Sequence, residues 1–234
     1  MNHPPFIDLW LLRYESVALA GGPAWFSEEE HARLASMHHP RRRLEFVLGR
    51  RLLRHALQSR YPNAFRGWRV EAPETGRPFL ETEDSSPPPT FSISHCKGHV
   101  ACALAPMGPI GVDVECIGTR KRDVASLSAA VLHPIEQERL AASNAVDRER
   151  LFLRFWTLKE ALAKALGLGL AIPMRELAIV DDRLVHAPTE IESPDWRFHS
   201  LEKDALWVAL AWKNADAAPH LGVNRVEAQN LRGD

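Results

Sequence analysis

Apolar positions along this chain recur at two periods, close to two residues in some stretches and close to 3.6 in others, and the switches between them predict its elements. Residues 6–13 form an apolar, aromatic run of strand length. Ser27, with Glu30 three positions later, carries a capping-box signature and predicts a helix running towards Met37. Pro40 restarts the chain. Across residues 41–60, Leu44, Val47, Leu48, Leu52, Leu53, Ala56 and Leu57 stand at helical spacing with arginines mostly between them, which predicts a long amphipathic helix with a basic face. Gly76-Arg77-Pro78 predicts a turn into a short strand, and residues 81–90, with three consecutive prolines, predict a loop. Strands are expected at 91–94, 99–105 and 110–115, the last two separated by a turn at 106–109. Helical spacing returns at 124–131, 134–142 and 148–166, where Gly167 ends it. Short strands are expected near 177–180, 196–201 and 205–212. Residues 213–234 are polar with little periodicity and predict a mobile tail.

Helices and antiparallel-style strands occur in both halves, so the class is α+β, with an N-terminal half at 1–107 and a C-terminal half at 108–212. A faint echo between residues 50–57 and 159–166 suggests duplication, although any two helices can share such a spacing.

Composition narrows the function. The 234 residues are 45% hydrophobic and 25% charged, enough for a globular core. A net charge of -1 gives no global field for nucleic acid or an anionic membrane, and neither partner is expected. The charge is locally uneven. Arg41, Arg42, Arg43, Arg50, Arg51, Arg54 and Arg60 face a single acid, Glu45, within one segment, which suits a local anion site. Cys96, Cys102 and Cys116 form no close pair and read as reduced thiols of a cytosolic protein. The N-terminal apolar run has no basic leader and is broken by Asp8, so it reads as a strand and not a signal peptide. No stretch reaches the roughly 18 apolar residues of a membrane span, and the expected location is the cytoplasm.

Three segments carry chemistry. In Gly111-Val112-Asp113-Val114-Glu115 the two acids share one face of a strand, where they repel unless a cation lies between them; a hard divalent ion suits oxygen ligands. The competing reading is a polar edge strand. In Trp156-Thr157-Leu158-Lys159-Glu160-Ala161-Leu162-Ala163-Lys164, residues Trp156, Glu160 and Lys164 lie along one helix face, so a carboxylate and an ammonium on successive turns can reach one phosphate–metal cluster. A surface ion pair is the plainer alternative. Phe91-Ser92-Ile93-Ser94-His95 brings a hydroxyl and an imidazole donor to a strand end, or a solvated strand end of no special function. Adjacent strand residues face opposite ways, which argues against Ser94 as a nucleophile with His95 as its base.

In order and spacing, the Gly76-Arg77-Pro78 turn and these three segments resemble the Sfp-type phosphopantetheinyl transferases, over residues 41–170. The resemblance implies two similar α/β halves related by a pseudo-twofold, each a small, mostly antiparallel sheet packed with helices, with coenzyme A in the cleft between them. It implies that Asp113, Glu115 and Glu160 bind magnesium and that Lys164 meets the pyrophosphate. Ser94 and His95 would contact phosphate, Arg77 would lie beside the adenine and phosphates, and Arg43 and Arg50 would hold the 3′-phosphate, with Arg33 a further candidate. Cys96 stands where serine is common, and Arg77 where lysine is common. The implied reaction moves phosphopantetheine from coenzyme A to a serine of an apo acyl or peptidyl carrier protein and releases adenosine 3′,5′-bisphosphate. Catalysis would rest on Glu160, Lys164 and His95, in a monomer that docks its carrier through residues 124–140, with Leu127, Val131, Leu132 and Ile135. Rival readings are a magnesium-dependent nucleotide pyrophosphate hydrolase and a non-catalytic coenzyme A-binding scaffold.

Overall fold

The computed structural model describes residues 6–15, 21–73, 76–83, 87–106, 108–119, 122–191, 195–213 and 219–231. They form a mixed α+β fold of small, mostly antiparallel sheets. Two compact units emerge, one from residues 1–74, 78–107 and 219–234, the other from residues 75–77 and 108–218. Among the described residues, no helix is long and apolar enough to cross a membrane.

In the first unit, β1 (Phe6–Arg13) and β4 (Thr90–Cys96) flank β5 (His99–Ala105), and both pair with it in antiparallel register. A hairpin, β2 (Arg69–Glu71) with β3 (Phe79–Glu81), stands apart from that sheet. The other edge of β1 is covered by β11 (His220–Glu227), which runs parallel to it from Phe6↔His220 to Arg13↔Glu227. The polar tail expected at 213–234 is therefore corrected over this stretch. Only Val226 of β11 is buried, so its place rests on backbone pairing to β1, which side-chain periodicity does not reveal. Helix α1 (Glu28–Ser36) opens with the anticipated capping box, Ser27 accepting from the Glu30 amide and Glu30 from the Ser27 amide. Helix α2 (Pro40–Arg60) buries Leu48, Leu52 and Leu57 against Val100, Cys102 and Leu104 of β5. Gly49 permits a close approach to β4, since a Cβ there would lie 3.1 Å from the Ile93 side chain.

In the second unit, β6 (Ile110–Cys116), β10 (Leu206–Lys213) and β9 (Trp196–Lys203) form an antiparallel sheet in that order. Helix α5 (Arg148–Leu166) crosses one face, with Leu158, Ala161, Leu162 and Ala165 in one cluster with Ala209, Ala211 and Phe198. It ends at Gly167, whose φ of 74° supplies the left-handed cap. Helices α3 (Val124–Val131) and α4 (Pro134–Ala142) and the hairpin of β7 (Ala178–Val180) with β8 (Arg183–His186) complete the unit.

A fully buried ion pair ties these elements together. Lys159 Nζ lies 2.6 Å from Glu136 Oε2 and donates to the carbonyls of Val131 and Met174 at 2.9 and 2.7 Å. Glu136 in turn accepts from the Ile179 and His133 amides. Every proton of the ammonium has an acceptor, so removing one partner strands a buried charge. Lys159→Met is expected to lower unfolding free energy by about 3–5 kcal/mol in urea titrations. The double variant with Glu136→Gln is expected to lose less than the sum of the two singles.

Candidate active site

The spacing of α5 against β6 is set by a missing side chain. A Cβ on Gly111 would stand 1.9 Å from the Ala161 carbonyl oxygen and 2.6 Å from the Ala165 amide nitrogen, so only glycine lets the helix backbone lie directly on the strand. Asp113 and Glu115 follow Gly111 at two-residue steps and share its face, towards α5. Glu160 precedes Ala161 and Lys164 precedes Ala165. Sequence spacing alone thus turns this contact into a cluster of acids and one lysine.

Lys164 Nζ lies 2.7 Å from Asp113 Oδ1. Arg122, whose side chain is 4% exposed, reaches Glu115 Oε2 at 2.8 Å and Glu149 Oε1 at 3.0 Å. Glu160 makes no ion pair among the described residues. Burial raises its pKa from the ordinary carboxylate value, and the charges of Asp113 and Glu115 raise it further, against an opposing effect of Lys164. The direction identifies a half-buried acid repelled by two others, electrostatically suited to a cation. All three donors are carboxylates, the hard oxygen set that magnesium takes. Trp156, one turn before Glu160, stacks on Phe152 at a 6.3 Å centroid distance and packs, partly buried, against the core cluster of Leu132 and Leu140.

Arg77 belongs to this second unit by its contacts and not to the N-terminal half at 1–107 in which the sequence reading put it. Its Nη1 donates to the Ala165 carbonyl at 3.4 Å, and its backbone lies 3.4 Å from where a Cβ of Gly167 would be. Arg122 and Glu136 were not anticipated. Arg122 stood in a loop whose charge was visible but whose partner was not, and nothing local marked Glu136.

The residues expected in the first unit divide sharply. Arg50 is 6% exposed, and its Nε bonds Glu30 Oε1 at 2.6 Å. The same side chain lines a pocket with Trp25, Arg54 and Trp68. Arg43 Nη1 donates to the Leu34 and Met37 carbonyls at 2.5 and 3.3 Å and so closes the end of α1. Ser94 is buried and His95 exposed, on opposite faces of β4. His95 Nδ1 lies 3.1 Å from Oε2 of Glu45, which is 3% exposed. Tyr14 Oη and Arg41 Nε donate to the other oxygen of Glu45 at 3.1 and 2.6 Å. Cys96, Cys102 and Cys116 are buried free thiols.

Acids from a strand and a helix, with one lysine a turn further on, form a charged cluster at the β6–α5 contact. Residues 109–218 match the 4′-phosphopantetheinyl transferase superfamily. Relatives extend the similarity well beyond that segment. A Synechocystis sp. protein with a provisional 4′-phosphopantetheinyl transferase name is 27% identical over 97% of this chain and 93% of its own length. The 4′-phosphopantetheinyl transferase HetI of Nostoc sp. is 29% identical over 80% of this chain and 77% of its own. The 4′-phosphopantetheinyl transferase of Bacillus subtilis is 27% identical over 72% and 71%. The chain is thus similar to the 4′-phosphopantetheinyl transferase superfamily over residues 109–218, and to proteins named as such transferases over most of its length.

Proposed function

We propose that this protein transfers the phosphopantetheine group of coenzyme A to a serine of an apo carrier protein, with magnesium, and releases adenosine 3′,5′-bisphosphate. The observation that carries this reading is the gathering of Asp113, Glu115, Glu160 and Lys164 at the β6–α5 contact, in a chain similar to this family. Asp113, Glu115 and Glu160 are the residues that would hold magnesium, which when bound supplies charge neutralisation to the pyrophosphate oxygens.

The serine hydroxyl oxygen attacks the phosphorus that bears pantetheine, and the bond from that phosphorus to the bisphosphate oxygen breaks. Glu160 is the candidate acceptor of the serine proton, a half-buried carboxylate beside Asp113, Glu115 and Lys164. Lys164 carries a fixed positive charge to the oxygens that gain charge as the bond breaks. Arg77 suits a phosphate through its planar, forked guanidinium, which is held from behind by the Ala165 carbonyl. In the first unit, His95 and Ser94 are assigned to phosphate contacts, and Arg43 to the nucleotide.

The carrier is assigned to the surface of α3 and α4. Of the four apolar residues expected there, Leu132 is fully buried and Val131 packs on the core, which leaves Leu127 and Ile135 exposed at 37% and 41%. Leu127→Asp is expected to raise KM for the carrier about tenfold while KM for coenzyme A stays unchanged, as measured by steady-state transfer kinetics. A variant with both values unchanged removes this face from docking.

The direct test incubates the protein with coenzyme A, magnesium and an apo carrier, and then weighs the carrier. A carrier heavier by one phosphopantetheine supports the reading. Nucleotide release without that gain assigns the site to hydrolysis, and no change in either leaves a binding scaffold.

A further inference from the structure

Glu45 is the one acid in the arginine-rich stretch of α2, and the fold buries it. The packing of α2 on β4 explains where it points. Gly49 sits against Ile93, so Glu45, one helical turn earlier, falls against His95, two residues further along the same strand face. A carboxylate this deeply buried needs donors on both oxygens. It has them: Tyr14 Oη and Arg41 Nε on Oε1, and His95 Nδ1 on Oε2. The Tyr14 hydroxyl is pushed up to about 12 by burial and by the charge of Glu45, which keeps it protonated and donating. Arg41 is raised above its ordinary value through its bond to the same carboxylate.

An ionised carboxylate only accepts, so the imidazole nitrogen facing it must carry a proton. We propose that Glu45 is a positioning residue for His95: it fixes the Nδ1–H form of the ring, anchors that ring to α2, and thereby sets Nε2 as the nitrogen presented to a phosphate oxygen. This rests on the transferase reading, in which His95 is a phosphate contact. Arg41 and Tyr14 hold Glu45 in turn, so a buried chain of bonds backs the exposed imidazole. The arrangement is a second layer of support for a group whose rotamer and tautomer both affect its contact.

Nitrogen-detected NMR of the full chain, labelled at histidine, reads the tautomer directly. The expected result is a protonated Nδ1 on His95. A wild-type ring protonated at Nε2 alone overturns the inference without any variant. In Glu45→Gln, whose amide group can donate to Nδ1, the balance is expected to move towards the Nε2–H form, and an unmoved spectrum overturns the inference. Kinetics supply the second arm. Glu45→Gln and His95→Ala are each expected to raise KM for coenzyme A about tenfold, and the double variant to be no worse than His95→Ala. Penalties that multiply in the double variant show that Glu45 acts independently of His95 and also overturn the inference. A wild-type protein that modifies no carrier refutes the transferase reading, and in that case the NMR arm still decides whether Glu45 orients His95.

Discussion

Glu160→Gln is expected to lower kcat for carrier modification by about 10²–10⁴-fold, the usual contribution of a general base, while leaving the metal-free protein as stable as before or more so. The two halves of this result have one cause. Because burial and the charges of Asp113 and Glu115 raise the pKa of Glu160 above the ordinary carboxylate value, the folded state binds its proton more tightly than the unfolded chain does. As pH rises from that ordinary value through the raised one, ionised Glu160 takes stability away from the fold. Glutamine removes the charge and keeps the shape, so the repulsion goes with it. Steady-state kinetics against mass-detected product measures the first half, and thermal unfolding in chelator at neutral pH measures the second. A loss of activity accompanied by a comparable loss of stability shows instead that Glu160 holds the fold. Near-normal turnover removes it from the chemistry.

Gly111→Ala is expected to have the largest effect on the fold of any single methyl group added here. Its Cβ would meet main-chain atoms of α5 at 1.9 and 2.6 Å, and main chain cannot rotate away as a side chain can. Relief requires moving α5 off β6, along a contact that also buries Leu158 and Leu162. A loss of about 3 kcal/mol or more is expected in urea unfolding, at or above the upper end of ordinary overpacking. Magnesium affinity, followed by calorimetry, is expected to fall as well, because the same displacement separates Glu160 and Lys164 from Asp113. Unchanged stability in Gly111→Ala contradicts the close helix–strand contact on which the site depends.

The elements most legible in the sequence were those written in local chemistry. Ser27 and Glu30 announced α1, Gly167 ended α5, and apolar spacing gave α3, α4 and α5 their limits. The acids of β6 and the Glu160–Lys164 pair were legible because strand and helix periodicities each put them on one face. What escaped was decided by partners far away in sequence. The arginines of α2 look alike, yet Arg50 is buried with Glu30, Arg43 bonds the end of α1 and Arg41 serves Glu45. Nothing in a period of 3.6 distinguishes these fates. Lys159 and Glu160 are neighbours in one charged motif, but they point to different sides of α5, so the first became a core ion pair and the second a member of the site. Strand β11 escaped because its hold on β1 is through backbone pairing, while its side chains read as those of a solvated segment.

That strand also constrains how the protein can be made. The sheet of the first unit takes three strands from before the second unit and one from after it, so on the ribosome β1 leaves the exit tunnel long before the segment that will lie beside it. In the interval β1 presents an open row of amides and carbonyls, the kind of edge that recruits neighbouring chains. The second unit, whose sheet and α5 all lie between residues 108 and 213, can close first. Translation would then deliver the last strand to a nascent chain whose carboxylate cluster has already been assembled.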